Sequence, residues 1–210
     1  MDSTVDLATF DSAYENRSAP WVIDQNQPAI VELERAGWIR GAVLDAGCGS
    51  GEHTIHLTEL GYDVEGVDLS ERALEQARAN ASARGVPARF AVADALDLGA
   101  RPRYDTVLDS ALFHVFGATD RPAYARSLHA ACRPGALVHV LALSDTQAAT
   151  GPRISDTAIR GAFGNGWDIE DLSPHRYRGI VRYPEDADRL GVAIGEPADT
   201  AAWLARIRRL

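Results

Sequence analysis

The chain has 210 residues, 46% of them hydrophobic and 24% charged, which is enough for one domain with a substantial buried core. A net charge of −9 argues against a nucleic-acid partner, since phosphates need clustered cations, and no apolar run approaches the ~20 residues of a membrane span. The opening Met1 to Asp6 has neither a basic region nor an apolar segment, and Cys48 and Cys132 show no paired pattern, so a cytoplasmic chain with free thiols is expected.

Residues 1–40 read as an N-terminal helical arm or lid, and 41–210 as the main body of a single domain. The first ten residues are expected to be mobile until something orders them. Phe10 and Tyr14 stand at helical spacing, as lid residues or as the apolar stripe of a short docking helix. Pro28 to Trp38 reads as a helix with proline near its start. Ala42 to Asp45 is then a short buried strand, followed by the turn Gly47-Cys48-Gly49-Ser50-Gly51 and a helix from Gly51 to Leu60.

A second strand, Asp63 to Val67, ends at Asp68, and Ser70 caps a helix that runs to Arg84 and stops at Gly85-Val86-Pro87. Further strands are expected at Ala88 to Val92, Asp105 to Asp109 and Leu137 to Leu143, with a helix over Arg121 to Ala131. Strands alternating with helices point to a parallel α/β sheet. After the fifth strand the segments around Trp167 to Leu172 and Ala202 to Ile207 alternate as half-exposed strands do. They form the antiparallel pair that completes a seven-stranded, mostly parallel Rossmann-like sheet with helices on both faces. Between them and the fifth strand, Thr150 to Asn165 reads as an insertion that can carry an arginine and an aromatic to the site.

The turn between the first strand and helix says most about function. Gly47 and Gly49 let backbone approach a ligand closely, and Asp68 follows at the roughly 20-residue separation that presents an acid to a ribose diol. A dinucleotide fingerprint places its third glycine one position later than Gly51, where this chain has Glu52. Asp45 precedes the glycines as well. An anionic pyrophosphate is badly matched by Asp45 and Glu52, whereas a ligand carrying an ammonium and a sulfonium tolerates both. The cofactor this pattern indicates is S-adenosylmethionine.

On these residues the chain resembles the class I S-adenosylmethionine-dependent methyltransferases, from about Trp21 to the C-terminus. Asp45, Gly47, Gly49 and Gly51 match the family's first motif and Asp68-Leu69-Ser70 its second. Ala93-Asp94-Ala95 matches the adenine-side acid, and Tyr104 to Asp109 the fourth strand. The resemblance implies that Asp45 faces the methionine end, Asp68 with Leu69 the ribose, and Asp94 with Ala95 the adenine, while Asp109 and Ser110 close the cofactor set. Pro20 to Pro28 resembles a stretch of small-molecule methyltransferases related to the thiopurine and mycobacterial hydroxyquinolone enzymes. That likeness assigns Trp21 to packing on the cofactor and Gln27 to a polar contact there, although Val22 and Asp24 depart from the pattern.

The fourth strand runs into Asp109-Ser110-Ala111-Leu112-Phe113-His114, without the paired prolines of the family's nucleic-acid and protein-amide enzymes. Ligands of open α/β sheets lie beyond the carboxyl ends of the strands, so Ser110 and His114 are expected to border the methyl. His114 is the candidate base or acceptor-orienting group, against the alternative that it packs below the pocket. No metal-ligand constellation accompanies His53 and His56. The expected activity is methyl transfer to O, N or S of a small, (hetero)aromatic acceptor such as a hydroxyquinolone-like secondary metabolite, by a monomer or homodimer. A non-catalytic cofactor-binding regulatory module stays open beside it. An NAD-dependent oxidoreductase is disfavoured by the glycine spacing, and a metal-dependent catechol-type enzyme has only Asp109 and Asp145 to offer.

Overall fold

A computed structural model describes residues 3–210. Its seven-stranded sheet is built from β1 (Ala42–Ala46), β2 (Asp63–Asp68), β3 (Arg89–Val92), β4 (Tyr104–Ser110), β5 (Cys132–Leu143), β6 (Trp167–Ile180) and β7 (Pro197–Arg209). The order across it is β3-β2-β1-β4-β5-β7-β6. The first five strands pair in parallel; β7 runs antiparallel to both β5 and β6. The helices are α1 (Leu7–Glu15), α2 (Pro28–Arg35), α3 (Glu52–Glu59), α4 (Glu71–Arg84), α5 (Asp120–Ala131), α6 (Asp156–Ala162) and α7 (Pro184–Leu190). Among the described residues, no helix is long and apolar enough to cross a membrane.

Strand alternation divides the core between two faces. Leu44, Ala46 and Val107 pack with Tyr124 and Leu128 of α5. Val43 and Leu108 point the other way, onto Ile30 and Leu33 of α2 and Leu57 of α3. Asp45 shares a side with Val43 and therefore points toward α3. Asp109 shares a side with Val107 and points toward α5.

Three segments differ from the sequence reading. The region before Phe10 is not free: Val5 N–H donates to Val115 O at 3.0 Å, and Gly117 N–H donates to the Thr4 hydroxyl at 2.8 Å. The Thr4 hydroxyl in turn donates to Asp120. Met1 and Asp2, also covered by that expectation, lie outside the described residues. The insertion contains a helix, α6, because Ser155 accepts from Ala158 N–H and caps it. Finally, β6 and β7 reach well beyond the alternating stretches and are joined through α7. Their full register, Trp167↔Arg209 to Ile180↔Pro197, carries β6 up to the edge where the site lies.

Candidate active site

Chain connection runs outward from β1 to β2 and β3 on one side, and from β4 to β5 on the other. Ligand crevices form at such reversals, beyond the carboxyl ends of the strands. A cavity of about 510 Å³ lies there, with walls that are mostly apolar. Its floor is the turn after β1. Gly47 and Gly49 hold φ of +67° and +55°, which admit a side chain only with strain. A Cβ on Gly49 would stand 2.6 Å from the Tyr14 hydroxyl, and one on Gly47 would press on Leu112. At these two positions no side chain stands between the backbone and the cavity, while Cys48 and Ser50, between and beyond them, add to its lining.

Asp68, at the tip of β2, lines the cavity with both carboxylate oxygens fixed. Oδ2 accepts from Gly49 N–H at 2.9 Å and Oδ1 from Ser70 N–H at 2.9 Å. Each oxygen keeps a lone pair for a further donor, which suits the two hydroxyls of a vicinal diol. Burial raises its pKa, an effect these backbone donors oppose. Leu69, half exposed, and Ala95 offer apolar surface beside it. Asp94, exposed at the rim of the cavity, turns Oδ1 to Leu96 N–H at 2.8 Å and leaves its other oxygen unpaired among the described residues. The cradle, the diol-matched carboxylate and the third acid fit an adenosyl cofactor in the order the chain supplies them.

Three of the sequence candidates lie behind the wall. Asp45 is buried and accepts from Thr54 Oγ1 at 2.7 Å, tying β1 to the first turn of α3; burial lifts its pKa to about 6. Gly51 caps α3 in a left-handed conformation and packs on Phe90 and Ala77, so that a Cβ would meet Phe90 at 2.8 Å. Asp109 is fully buried. Its Oδ1 accepts from the N–H groups of Leu112 and Phe113, both at 3.0 Å, which bends the chain away from β4, and burial pushes its pKa up to about 7. The bend leaves Ala111 at a φ of +74°, a strained value for a residue with a Cβ. Ser110 and His114 do line the cavity, but Phe113 is turned into the core against Phe163 and Tyr124.

The N-terminal segment roofs the cavity. Trp21 meets Phe10 and Tyr14 edge to face at 5.6 and 6.0 Å, and its Nε1–H donates to the Tyr14 hydroxyl at 2.9 Å. The strap is held at its far end by the Thr4 and Val5 contacts and at its middle by Ser70 Oγ, which donates to Asp11 at 2.5 Å. Gln27 spans to β6: its Nε2–H donates to Arg178 O at 2.7 Å and its Oε1 accepts from Arg178 N–H at 2.9 Å. The buried amide also stands against the Tyr177 hydroxyl, so Gln27 braces the wall beside the cavity.

His114 is buried, and its Nδ1 accepts from Leu143 N–H at 3.2 Å, so the proton of the neutral ring sits on Nε2. Burial first, then the positive charges of Arg153 and Arg121, push its pKa down to about 3. The ring stays neutral at physiological pH and donates rather than accepts. Sequence reasoning missed the last part of the wall, Arg182, Tyr183 and Asp186 between β6 and α7. The signal available was Tyr183-Pro184-Glu185-Asp186, a proline followed by acids, which marks a helix start. Among the described residues no three His, Cys, Asp or Glu side chains gather as a metal-holding group.

Comparison with known proteins agrees with this geometry. Residues 43–135 match the family model described as a methyltransferase domain. The 2-heptyl-1-hydroxyquinolin-4(1H)-one methyltransferase of Mycobacteroides abscessus is 34% identical over 182 residues, covering 80% of this chain and 79% of that protein. A structure solved in work on the conversion of a disulfide bond into a thioacetal group during echinomycin biosynthesis is 41% identical. It superposes with a TM-score of 0.85 over 96% of this chain and 92% of that one. An S-adenosylmethionine-dependent methyltransferase from Anabaena variabilis shares the fold, with a TM-score of 0.74 at 16% identity over 100% of this chain and 98% of that one. The chain belongs to the class I S-adenosylmethionine-dependent methyltransferases.

Proposed function

We propose that this methyltransferase acts on an O, N or S atom of a small heteroaromatic molecule of the hydroxyquinolone kind. The observation that carries this reading is the form of the cavity. Its walls are mostly apolar and include Phe10, Tyr14 and Trp21 above the glycine turn, a lining suited to a compact flat acceptor. The hydroxyquinolone enzyme of Mycobacteroides abscessus supports the acceptor class, and the likeness to the protein of the echinomycin work supports sulfur among the acceptor atoms.

Within this reading Gly47 and Gly49 hold the methionine end, Asp68 the ribose hydroxyls, Leu69 and Ala95 the adenine face, and Asp94 its amino group. Asp45, Gly51 and Asp109 act through the backbone they brace. Bound there, S-adenosylmethionine supplies an electrophilic methyl. The protein then has to align a lone pair with it and exclude water, and alignment alone is worth ~7–11 kcal/mol. A neutral His114 is a poor proton acceptor. The acceptor atom is therefore one that attacks as an anion or with a free lone pair, and His114 orients it through Nε2–H.

The test is incubation of the purified protein with S-adenosylmethionine and 2-heptyl-1-hydroxyquinolin-4(1H)-one, followed by mass spectrometry of the small molecule. A methylated product is expected. Release of S-adenosylhomocysteine with neither that compound nor a panel of heteroaromatic phenols, amines and thiols would rule the acceptor class out.

A further inference from the structure

The wall of the cavity contains two guanidinium groups with donors the protein leaves unused. Arg153, in the loop between β5 and α6, donates from Nη1 to Ser144 O at 3.2 Å, while its buried Nε–H has no partner. Arg182, just past β6, likewise buries an Nε–H without a partner and forms no hydrogen bond or ion pair with any described residue. Both residues line the cavity. These Nε–H groups are sealed from the cavity, whereas both Nη nitrogens of Arg182 and Nη2 of Arg153 stay accessible and unpaired among the described residues, so the donors that a ligand in the cavity can reach are the terminal ones.

Their placement is fixed by backbone. Ile154 N–H donates to Leu143 O and Asp145 N–H to Ile154 O, both at 3.0 Å, pinning the loop that carries Arg153 to the end of β5. His114 takes its hydrogen bond from Leu143 and Arg153 gives one to Ser144, so consecutive residues of the chain anchor both side chains, and the charge of Arg153 is felt at the His114 ring. Val181 is bonded on both sides, to Glu196 O at 2.9 Å and from Gly195 N–H at 2.8 Å, which sets the direction of the chain into Arg182. The carboxylate on this part of the wall, Asp186, is already committed to Arg189 at 2.6 Å and to Thr150 N–H. The wall thus presents donors and positive charge in a protein whose net charge is −9.

We propose that Arg153 and Arg182, with the Nε2–H of His114, form a donor wall that receives an oxygen edge of the acceptor, a carbonyl or an oxyanion. The proposal rests on the small-molecule reading above and adds to it the polarity the acceptor must carry opposite the aromatic roof. Sites built to pair their donors with a ligand oxygen discriminate against analogues lacking it, because the donors are then left unpaired under the bound ligand.

The experiment is calorimetric titration of the full chain, saturated with S-adenosylhomocysteine, with quinolin-4(1H)-one, quinoline-4-carboxylate and 4-methylquinoline. The third has the ring and substituent position of the others without the oxygen. Wild type is expected to bind the two oxygen-bearing probes at least about tenfold more tightly than 4-methylquinoline. Arg153→Met and Arg182→Met should each abolish most of that preference with unchanged affinity for S-adenosylhomocysteine, which also reports an intact fold. Arg153→Lys should restore part of it. Equal binding of all three probes by wild type overturns the donor wall and leaves the small-molecule reading standing. Binding of none overturns both. Retention of the full preference in both methionine variants overturns the assignment to these arginines.

Discussion

At the scale of single residues, the acids of this site divide by the direction their strands give them. Asp68 leaves β2 at its tip and keeps lone pairs toward the cavity, whereas Asp45 and Asp109 point from strand interiors into the two cores. Asp109 spends one oxygen on two backbone donors, and the other is buried beside the Tyr124 hydroxyl. Its pKa is raised from the ordinary carboxylate range to about 7, so between those values the folded state holds a proton that the unfolded state has released. Stability from this group therefore falls as pH rises through that window, by about 1.4 kcal/mol per unit. Asp109→Asn keeps the acceptor for Leu112 and Phe113 and removes the titration. In urea unfolding the variant should gain on wild type steadily from pH 4 to pH 7 and hold its advantage above; a constant difference would show that the carboxyl is not protonated in the folded protein.

At the scale of elements, the β1–turn–α3–β2 unit was legible because everything it does is local. Its glycine spacing, the acid at the end of β2 and the Ser70 cap all fall within about 30 residues, the size of a βαβ unit. Alternation along β1 also carried the information that Asp45 shares a side with Val43, although motif matching alone assigned it to the ligand. The strap could not be read the same way. It is ordered by Thr4 with Asp120 and Asp11 with Ser70, pairs 116 and 59 residues apart that no periodicity reveals. Gln27 shows the same limit, since its amide is engaged by a strand 151 residues later. If the strap gates the site, loosening its middle tether should speed ligand exchange while the sheet is untouched. Asp11→Ala is expected to raise the dissociation rate of S-adenosylhomocysteine several-fold in stopped flow, with an unfolding midpoint within about 0.5 kcal/mol of wild type. An unchanged rate would mean that exchange does not pass under α1.

At the scale of the whole molecule, a parallel half and an antiparallel half of the sheet meet at the cavity; in the proposed function the first takes the methyl donor and the second the acceptor. Strands β1 to β4 present the glycine turn, Asp68, Asp94 and Ser110 along one edge. The long β6 and β7 bring Tyr177, Arg182 and Asp186 to the same edge from the other side, and the N-terminal strap closes over both. The first half follows from family-wide spacing and so was readable from residues; the second depends on strand lengths and loop paths, which composition does not encode. The central claim is that the glycine turn and Asp68 hold S-adenosylmethionine. The direct measurement is calorimetric titration of S-adenosylhomocysteine into wild type and Asp68→Ala. Saturable one-to-one binding by wild type, weakened by about 100-fold in the variant as two hydrogen bonds to a charged acceptor are lost, is the predicted result. No binding by wild type, or equal affinity in the two proteins, would contradict it.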